Sequence, residues 1–332
     1  MNKVRANITA VGMYVPEKRV TNLDMEQIVE TSDEWIRQRT GILERRFVSN
    51  GEANSDLSVK AIEDALRHTS IDRAEIDLII VATVTPDMMF PSTACLVQDR
   101  IGASRAWGFD LSGACSGFLY ALTAGAQFIE TGTYRKVLVV GTDIMTSILD
   151  FEDRATCVLF GDGAGAVLLE PTTEEGIGIL DSLLRSDGSG GKYLYMPAGG
   201  SRNPASRQTV EHKMHYVHQD GRTVYKFAVK MMPEVSNQIL ERNGFTTEDL
   251  KLYVPHQANL RIINAAVERM KLKPEQVAVN IDRYANTTAA TIPIGLAEAH
   301  CSGHIKKGDL VLLASFGAGF TWGGVLLRWG MK

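Results

Sequence analysis

The apolar positions of the chain alternate between two kinds of run. Short uninterrupted runs, of which Leu78-Ile79-Ile80-Val81-Ala82 is the clearest, predict strands covered on both faces. Longer stretches with helical spacing lie between them. Ala6 to Val15 predicts a first strand stopped by Pro16, followed by short helices from Asn22 and from Ser32 to Thr40, the second closed by Gly41. A helix from Ser55 to Arg67 leads into the strand at Leu78. The helix after Pro91, a strand from Ala106 to Leu111, a helix from Ser116 to Thr131 and a strand from Val137 to Val140 follow. Strands alternating with helices predict an α/β fold with a largely parallel sheet.

The second half repeats this order. Glu75-Ile76-Asp77-Leu78 entering a strand is echoed by Glu248 to Leu252 entering Tyr253-Val254-Pro255, and the helix after Pro91 by a helix from Asn259 to Met270. The strand before Ala114-Cys115-Ser116 is answered by a strand from Val277 to Asp282 before Ala285-Asn286-Thr287. Thr131 to Lys136 before one strand matches Ser302 to Lys307 before Leu310 to Ala314. Phe160-Gly161-Asp162-Gly163-Ala164-Gly165 before Ala166 to Leu169 matches Phe316-Gly317-Ala318-Gly319 before Gly324 to Leu327. Matches in register at this many points indicate an internal duplication. The halves divide near Glu170 to Gly176, giving residues 1–173 with Cys115 and residues 174–332 with His256 and Asn286. Cys115 and Asn286 then occupy equivalent strand-to-helix turns.

Composition adds limits. A chain of 332 residues, 45% of them hydrophobic, buries roughly three quarters of its unfolded surface. Its net charge of −4 offers no bulk attraction to nucleic acid or anionic lipid. The N-terminus lacks a signal-peptide pattern and no apolar run is long enough to span a bilayer, so neither secretion nor a membrane is expected. Four scattered cysteines without CxxC spacing suggest a reducing, cytoplasmic setting. His212, His215 and His218 have a tempting spacing. With no regular element or carboxylate cluster to fix them, they read as a mobile loop, and no metal site is expected.

Candidate chemistry begins at Phe109-Asp110-Leu111-Ser112-Gly113-Ala114-Cys115-Ser116-Gly117, where a strand breaks into a helix through small residues. A thiol there faces unpaired N–H groups and the positive end of the helix dipole, which favour a thiolate. The competing reading is a buried structural cysteine, the ordinary fate of a free thiol. His256 follows a strand and precedes a helix, and a lone histidine there is ordinarily structural. If the halves pack about a pseudo-twofold axis, however, Cys115, His256 and Asn286 share one strand-end crevice, where α/β sheets place ligands.

Four motifs carry a resemblance across essentially the whole chain. Gly113-Ala114-Cys115-Ser116-Gly117-Phe118, His256-Gln257-Ala258-Asn259-Leu260-Arg261-Ile262, Asn286-Thr287-Thr288-Ala289-Ala290 and Phe316-Gly317-Ala318-Gly319-Phe320-Thr321-Trp322-Gly323 resemble the β-ketoacyl-acyl carrier protein synthase III family. The resemblance implies the thiolase fold, a duplicated five-layer αβαβα sandwich with mixed, largely parallel sheets, assembled as a homodimer. It also implies a cytoplasmic acyltransferase that initiates fatty acid biosynthesis. A short acyl-CoA primer would acylate Cys115, and malonyl-acyl carrier protein would then lose CO2 and attack the acyl-enzyme in a Claisen condensation. His256 N–H and the Asn286 amide would stabilise the enolate, and the backbone N–H groups of Cys115 and Ala318 would form the oxyanion hole. No cofactor is implied beyond the CoA- and phosphopantetheine-carried substrates.

By the same resemblance Trp35 and Arg154 would sandwich the CoA adenine, with Thr31, Arg39 and Asn259 as further CoA contacts. Phe90 would reach into the partner subunit's acyl pocket and limit its length. Lys226, Arg261 and Arg269 would receive the acidic carrier protein, although each is also readable as an ordinary surface charge. Two small residues depart from the commoner family pattern: Ala285, where glycine often precedes the asparagine, and Ala318 in the Gly-rich turn. Neither removes a reacting group.

Three other functions compete. A cysteine hydrolase would use Gly-x-Cys-x-Gly as a nucleophile elbow, but it needs an undoubled sheet and an acid before the histidine. Relatives with another reaction, such as hydroxymethylglutaryl-CoA synthase or synthase III-like enzymes with hydroxyl or amine acceptors, keep the fold. The first of these wants a glutamate beside the Cys115 turn, where none presents itself. A silent acyl-CoA-binding protein has no use for all three reactive residue types.

Overall fold

Residues 4–332 are described by a computed structural model in which two sheets are separated and flanked by helices. The first sheet contains β1 (Arg5–Tyr14), β2 (Leu78–Ala82), β3 (Trp107–Leu111), β4 (Val137–Asp143) and β5 (Gly163–Thr172), in the order β1-β5-β4-β2-β3. The second contains β6 (Gly178–Ser186), β7 (Leu252–Pro255), β8 (Leu310–Gly317) and β9 (Thr321–Arg328), in the order β6-β9-β8-β7. The main helices are α1 (Asp33–Thr40), α2 (Asn54–Leu66), α3 (Thr93–Arg100), α4 (Gly117–Glu130), α5 (Gly221–Arg242), α6 (Leu260–Met270) and α7 (Thr291–Cys301).

Strand alternation distributes the apolar residues into layers. Ile79 and Val81 pack with Leu57 and Ile62 of α2 and Val97 of α3 on the outer face of the first sheet. Leu78, Ile80 and Ala82 face the other way, into a middle layer where Phe118 and Leu122 of α4 meet Ile292 and Leu296 of α7. Val311 and Leu313 of β8 close that layer from the other side, while Leu310 and Leu312 face Ile239 of α5 and Ala266 of α6. The result is αβαβα, as in the thiolase fold.

The duplication is visible in the ladders. β1 with β5 and β5 with β4 are antiparallel, as are β6 with β9 and β9 with β8. β4 with β2 is parallel, as is β8 with β7. The sheets are therefore mixed, with parallel pairing confined to the strand–helix–strand portion of each half. The chain crosses between halves through residues 173–177, and both halves contribute to the middle core.

Two expectations need correction. β3 pairs in parallel with β2, but the strand expected from Val277 to Asp282 is reduced to one parallel bridge between Tyr253 and Val277. The Gln257 side chain takes over this segment: its Oε1 accepts the N–H groups of Asn280 and Ile281, and its Nε2 donates to the Ala278 carbonyl. Ile281–Tyr284 then forms a helical turn. The second correction concerns the three histidines, which lie among regular elements. Arg207–Glu211 is a helical turn capped by Ser206, and Leu194–Tyr195 pairs with His218–Gln219. His215 Nε2 is 2.9 Å from Thr209 Oγ1 and His218 stacks on Tyr195, so each of these rings has its own neighbour. Among the described residues no helix is long and apolar enough to cross a membrane.

The halves meet with almost no space between backbones. A Cβ on Gly141, near the end of β4, would lie 2.3 Å from the carbonyl oxygen of Ala289, at the start of the helical turn leading into α7. Gly141→Ala is therefore expected to cost about 1–3 kcal/mol of stability through overpacking, read from the midpoint of denaturant unfolding. An unchanged midpoint would show that the contact yields.

Candidate active site

Cys115 sits in a tight turn. Ala114 has a positive φ of 46°, Ala114–Ser116 is a single 3₁₀ turn and α4 begins at Gly117. A Cβ on Gly113 would come within 2.9 Å of Gly117 Cα, so the strand-to-helix break needs glycine there. The β8–β9 hairpin of the second half holds the turn from below. Ser315 Oγ donates to the Cys115 carbonyl, Ser116 Oγ to the Thr321 carbonyl and Thr321 Oγ1 to the Gly113 carbonyl. A Cβ on Gly317 would lie 2.8 Å from the Cys115 nitrogen, which brings the following residue, Ala318, alongside the Cys115 turn.

Asn286 occupies the pseudo-equivalent turn. Its N–H donates to the Leu159 carbonyl, and its own carbonyl accepts the Gly161 N–H. The side-chain Oδ1 accepts the Thr288 N–H at 2.9 Å, which fixes the amide so that Nδ2 faces the crevice as a donor. Ala285, just before it, has φ 57° and ψ −154°, a region in which a side chain is strained by roughly 1–3 kcal/mol and which glycine enters freely. This gives a physical meaning to the departure seen in sequence. Below the turn, Asp143 at the end of β4 accepts hydrogen bonds from Thr83, Thr85 and the Val84 N–H of its own half. It also accepts from the Thr288 hydroxyl and the Ala289 N–H of the other. Burial raises its pKa above the usual carboxylate range.

His256 extends β7, its N–H donating to the Ala314 carbonyl. The residue is 1% exposed, with Nδ1 2.7 Å from Thr291 Oγ1 and Nε2 buried without a partner among the described residues. Burial pushes its pKa down to about 3, so the ring is neutral through the physiological range. For Cys115 burial works against the thiolate that a helix start favours. The residue is 7% exposed, and burial, with the Asp143 charge second, pushes the thiol up to about 12.

Two cavities meet at the thiol. A polar-mouthed crevice of about 470 Å³ is lined by Cys115, His256 and Asn286, with Trp35, Arg39 and Asn259 towards its opening. A second, largely apolar cavity of about 410 Å³ lies beyond Cys115 between Val84, Met145, Ile148 and Val217, and includes Ala318. Cys115, Phe160 and Leu194 line both.

The peripheral residues divide. The Arg154 guanidinium lies 5.4 Å from the Trp35 ring centre and donates to the Glu30 carbonyl, so a flat base entering between them must first part them. Arg39 approaches the same ring at 5.9 Å. Asn259 is the N-cap of α6, accepting from the Arg261 N–H and donating to the Arg39 carbonyl. Thr31 lies outside both cavities, its hydroxyl buried without a partner among the described residues. Phe90 is 84% exposed and lines neither cavity. Lys226 and Arg261 are exposed, Arg261 over the Tyr225 ring, whereas Arg269 is tied to the Val229 carbonyl. Sequence reasoning missed Arg222 and Tyr225 at the crevice mouth. The four-residue spacing of Arg222, Lys226 and Lys230 along α5 was the available signal. It also gave no role to Gln257, Asp143, Thr288 or Thr291, whose partners are distant in sequence.

Residues 109–188 match the family model of 3-oxoacyl-[acyl-carrier-protein] synthase III, and residues 240–329 that of its C-terminal region. The chain is 55% identical over 326 residues to the β-ketoacyl-[acyl-carrier-protein] synthase III of Koribacter versatilis, covering 98% of each chain. It is 56% identical over 327 residues to that of Solibacter usitatus, covering 98% of this chain and 99% of the other. The solved β-ketoacyl-[acyl carrier protein] synthase III of Thermus thermophilus superposes with a TM-score of 0.91 at 47% identity, over 98% of this chain and 99% of that one.

The buried thiol makes a testable statement about pH. Because only the thiolate is nucleophilic, alkylation of Cys115 by iodoacetamide in the free protein should rise roughly tenfold per pH unit between about pH 7 and 9. A plateau in that interval would show a thiolate stabilised at neutral pH and contradict a thiol held near 12.

Proposed function

The chain belongs to the 3-oxoacyl-[acyl-carrier-protein] synthase III family of condensing acyltransferases, and from that premise we propose how its own residues initiate fatty acid synthesis. The observation that carries the reading is that one thiol lines both a polar-mouthed crevice, shared with His256 and Asn286, and an apolar cavity beyond it. The crevice fits the pantetheine arm of an acyl-CoA or of malonyl-acyl carrier protein, and the apolar cavity fits the acyl chain of the primer.

In the first half-reaction Cys115 Sγ attacks the thioester carbonyl of the acyl-CoA. The carbonyl–CoA sulfur bond breaks, and the thiol proton ends on the departing CoA thiol. One thioester is exchanged for another, with the N–H groups of Cys115 and Ala318 holding the tetrahedral oxyanion. In the second, malonyl-acyl carrier protein loses CO2, and the bonding electrons pass into an enolate. His256 Nε2–H and Asn286 Nδ2–H converge on the enolate oxygen, each stabilising the charge by about 3–4 kcal/mol. The enolate carbon then attacks the acyl-Cys115 carbonyl, and Cys115 leaves as a thiolate that takes up a proton. A neutral histidine suits this donor role, since the enolate oxygen needs an N–H. No metal or organic cofactor is needed to balance these steps.

Trp35, Arg154, Arg39 and Asn259 hold the CoA nucleotide end at the mouth in this reading, and Thr31 contacts it from outside the crevice. Lys226 and Arg261, joined by Arg222 and Lys230, receive the acidic carrier protein, with Arg269 bracing α6 against α5. A homodimer is supported by β3, which is an edge strand with Trp107 at its start, and by the exposed Met88, Met89 and Phe90 beside it. Phe90 would cap the partner subunit's apolar cavity and favour a short primer. Four free thiols suit a reducing cytoplasm.

Incubation with acetyl-CoA followed by peptide mapping should place one acetyl group on Cys115, and added malonyl-acyl carrier protein should convert it to a β-ketoacyl product. Cys115→Ala should take up no acyl group. His256→Ala and Asn286→Ala should each slow decarboxylation by roughly 10²–10³-fold while leaving acylation much less affected. Release of free acetate without condensation would favour a hydrolase and defeat the reading.

A further inference from the structure

The donor role of His256 depends on which ring nitrogen carries the proton, and that choice is made outside the crevice. A neutral imidazole has one N–H, and the hydrogen bond at one nitrogen decides the state of the other. The partner of Nδ1 is the hydroxyl of Thr291, the first residue of α7. We propose that Thr291 is a positioning residue that donates its hydroxyl proton to His256 Nδ1 and so holds the ring as the Nε2–H tautomer. The inference rests on the reading of His256 as an enolate-stabilising donor and adds a residue to it.

The geometry gives the Thr291 hydroxyl two acceptors. Oγ1 is 2.7 Å from His256 Nδ1 and 3.0 Å from the Thr288 carbonyl. If it donates to Thr288, its lone pair faces Nδ1, the proton sits on Nδ1, and a bare Nε2 points a lone pair at the incoming thioester oxygen. If it donates to Nδ1, Nε2 carries the proton. The Thr288 carbonyl already accepts the backbone N–H of Thr291, so turning the hydroxyl away leaves no orphaned acceptor. The imidazole nitrogen has no other partner and lies at the shorter distance. Thr291 is 2% exposed, which leaves the hydroxyl out of contact with bulk water.

The same short segment sets the other donor. The Thr288 N–H holds Asn286 Oδ1 and so turns Nδ2 towards the crevice. One turn later, Thr291 turns Nε2–H towards the same place. Two acceptor groups are thereby aimed backwards, by hydroxyl and amide protons of residues 288–291, so that two donors face forwards. The thioester oxygen only accepts, and this arrangement presents it with no competing lone pair.

Selective 15N-histidine labelling of the free enzyme tests the tautomer without any turnover, with His256→Asn identifying the resonances among seven histidines. The expected spectrum has a protonated Nε2 and an unprotonated, hydrogen-bonded Nδ1, and a protonated Nδ1 would overturn the proposal. Thr291→Val keeps the shape but removes the proton. It should slow decarboxylation of malonyl-acyl carrier protein about tenfold or more, with Cys115 acylation changed much less, and Thr291→Ser should restore the lost step. Equal losses in both half-reactions, or none, would reduce Thr291 to a packing role. If acetyl-CoA left Cys115 unmodified in the unaltered protein, the functional reading would fall, and the labelled spectrum would still decide the tautomer.

Discussion

The backbone of Gly317 lies against the amide of Cys115, and this contact joins the two halves of the molecule at the Cys115 turn. A side chain at Gly317 would strike the Cys115 nitrogen, just as one at Gly141 would strike the Ala289 carbonyl on the other side of the pseudo-axis. Two turns, one from each half, are therefore supported by glycine backbone of the opposite or neighbouring element. Hydrogen bonds from Ser315 and Thr321 to the Cys115 turn, and from Thr288 and Ala289 to Asp143, reinforce the same seam. Neither turn is positioned by its own half alone. This is why a duplicated chain yields one crevice lined from both halves.

Burial at that seam sets the chemistry. It keeps His256 neutral and the Cys115 thiol protonated. A charged imidazolium and a resting thiolate would both need solvation that the crevice denies them. In the proposed reaction this leaves a pair of neutral donors, His256 and Asn286, and a thiol that becomes charged only when a thioester is there to accept it. The surrounding hydrogen bonds act by orientation: backbone N–H to Asn286 Oδ1, the Thr291 hydroxyl paired with His256 Nδ1, and the Gln257 amide to the loop behind His256.

Much of the fold was legible in the sequence because the hydrophobic periodicities were strong and occurred twice. The uninterrupted run at Leu78 marked a strand covered on both faces, and the glycine-bracketed Cys115 marked a strand-to-helix break. The exceptions have local causes. The segment at Val277 has strand-like composition, yet its amides are taken by Gln257, a side chain brought from the end of another strand. The histidine-rich stretch has weak periodicity but gains a helical turn and a short ladder against Leu194 and Tyr195. Thr31 was placed by resemblance to a family position, and neither cavity reaches it.

The sequence by itself determined most of the order of elements, the duplication and the glycine-bracketed break at Cys115. These follow from local periodicity and turn chemistry, which are carried by neighbouring residues. Only the tertiary structure decided the burial of the thiol, the facing of the Asn286 amide, the partner of His256 Nδ1 and the meeting of two cavities at one sulfur. Each of these depends on desolvation or on a hydrogen bond between atoms that only the completed fold brings together, and neither is written in the spacing of residues along a chain.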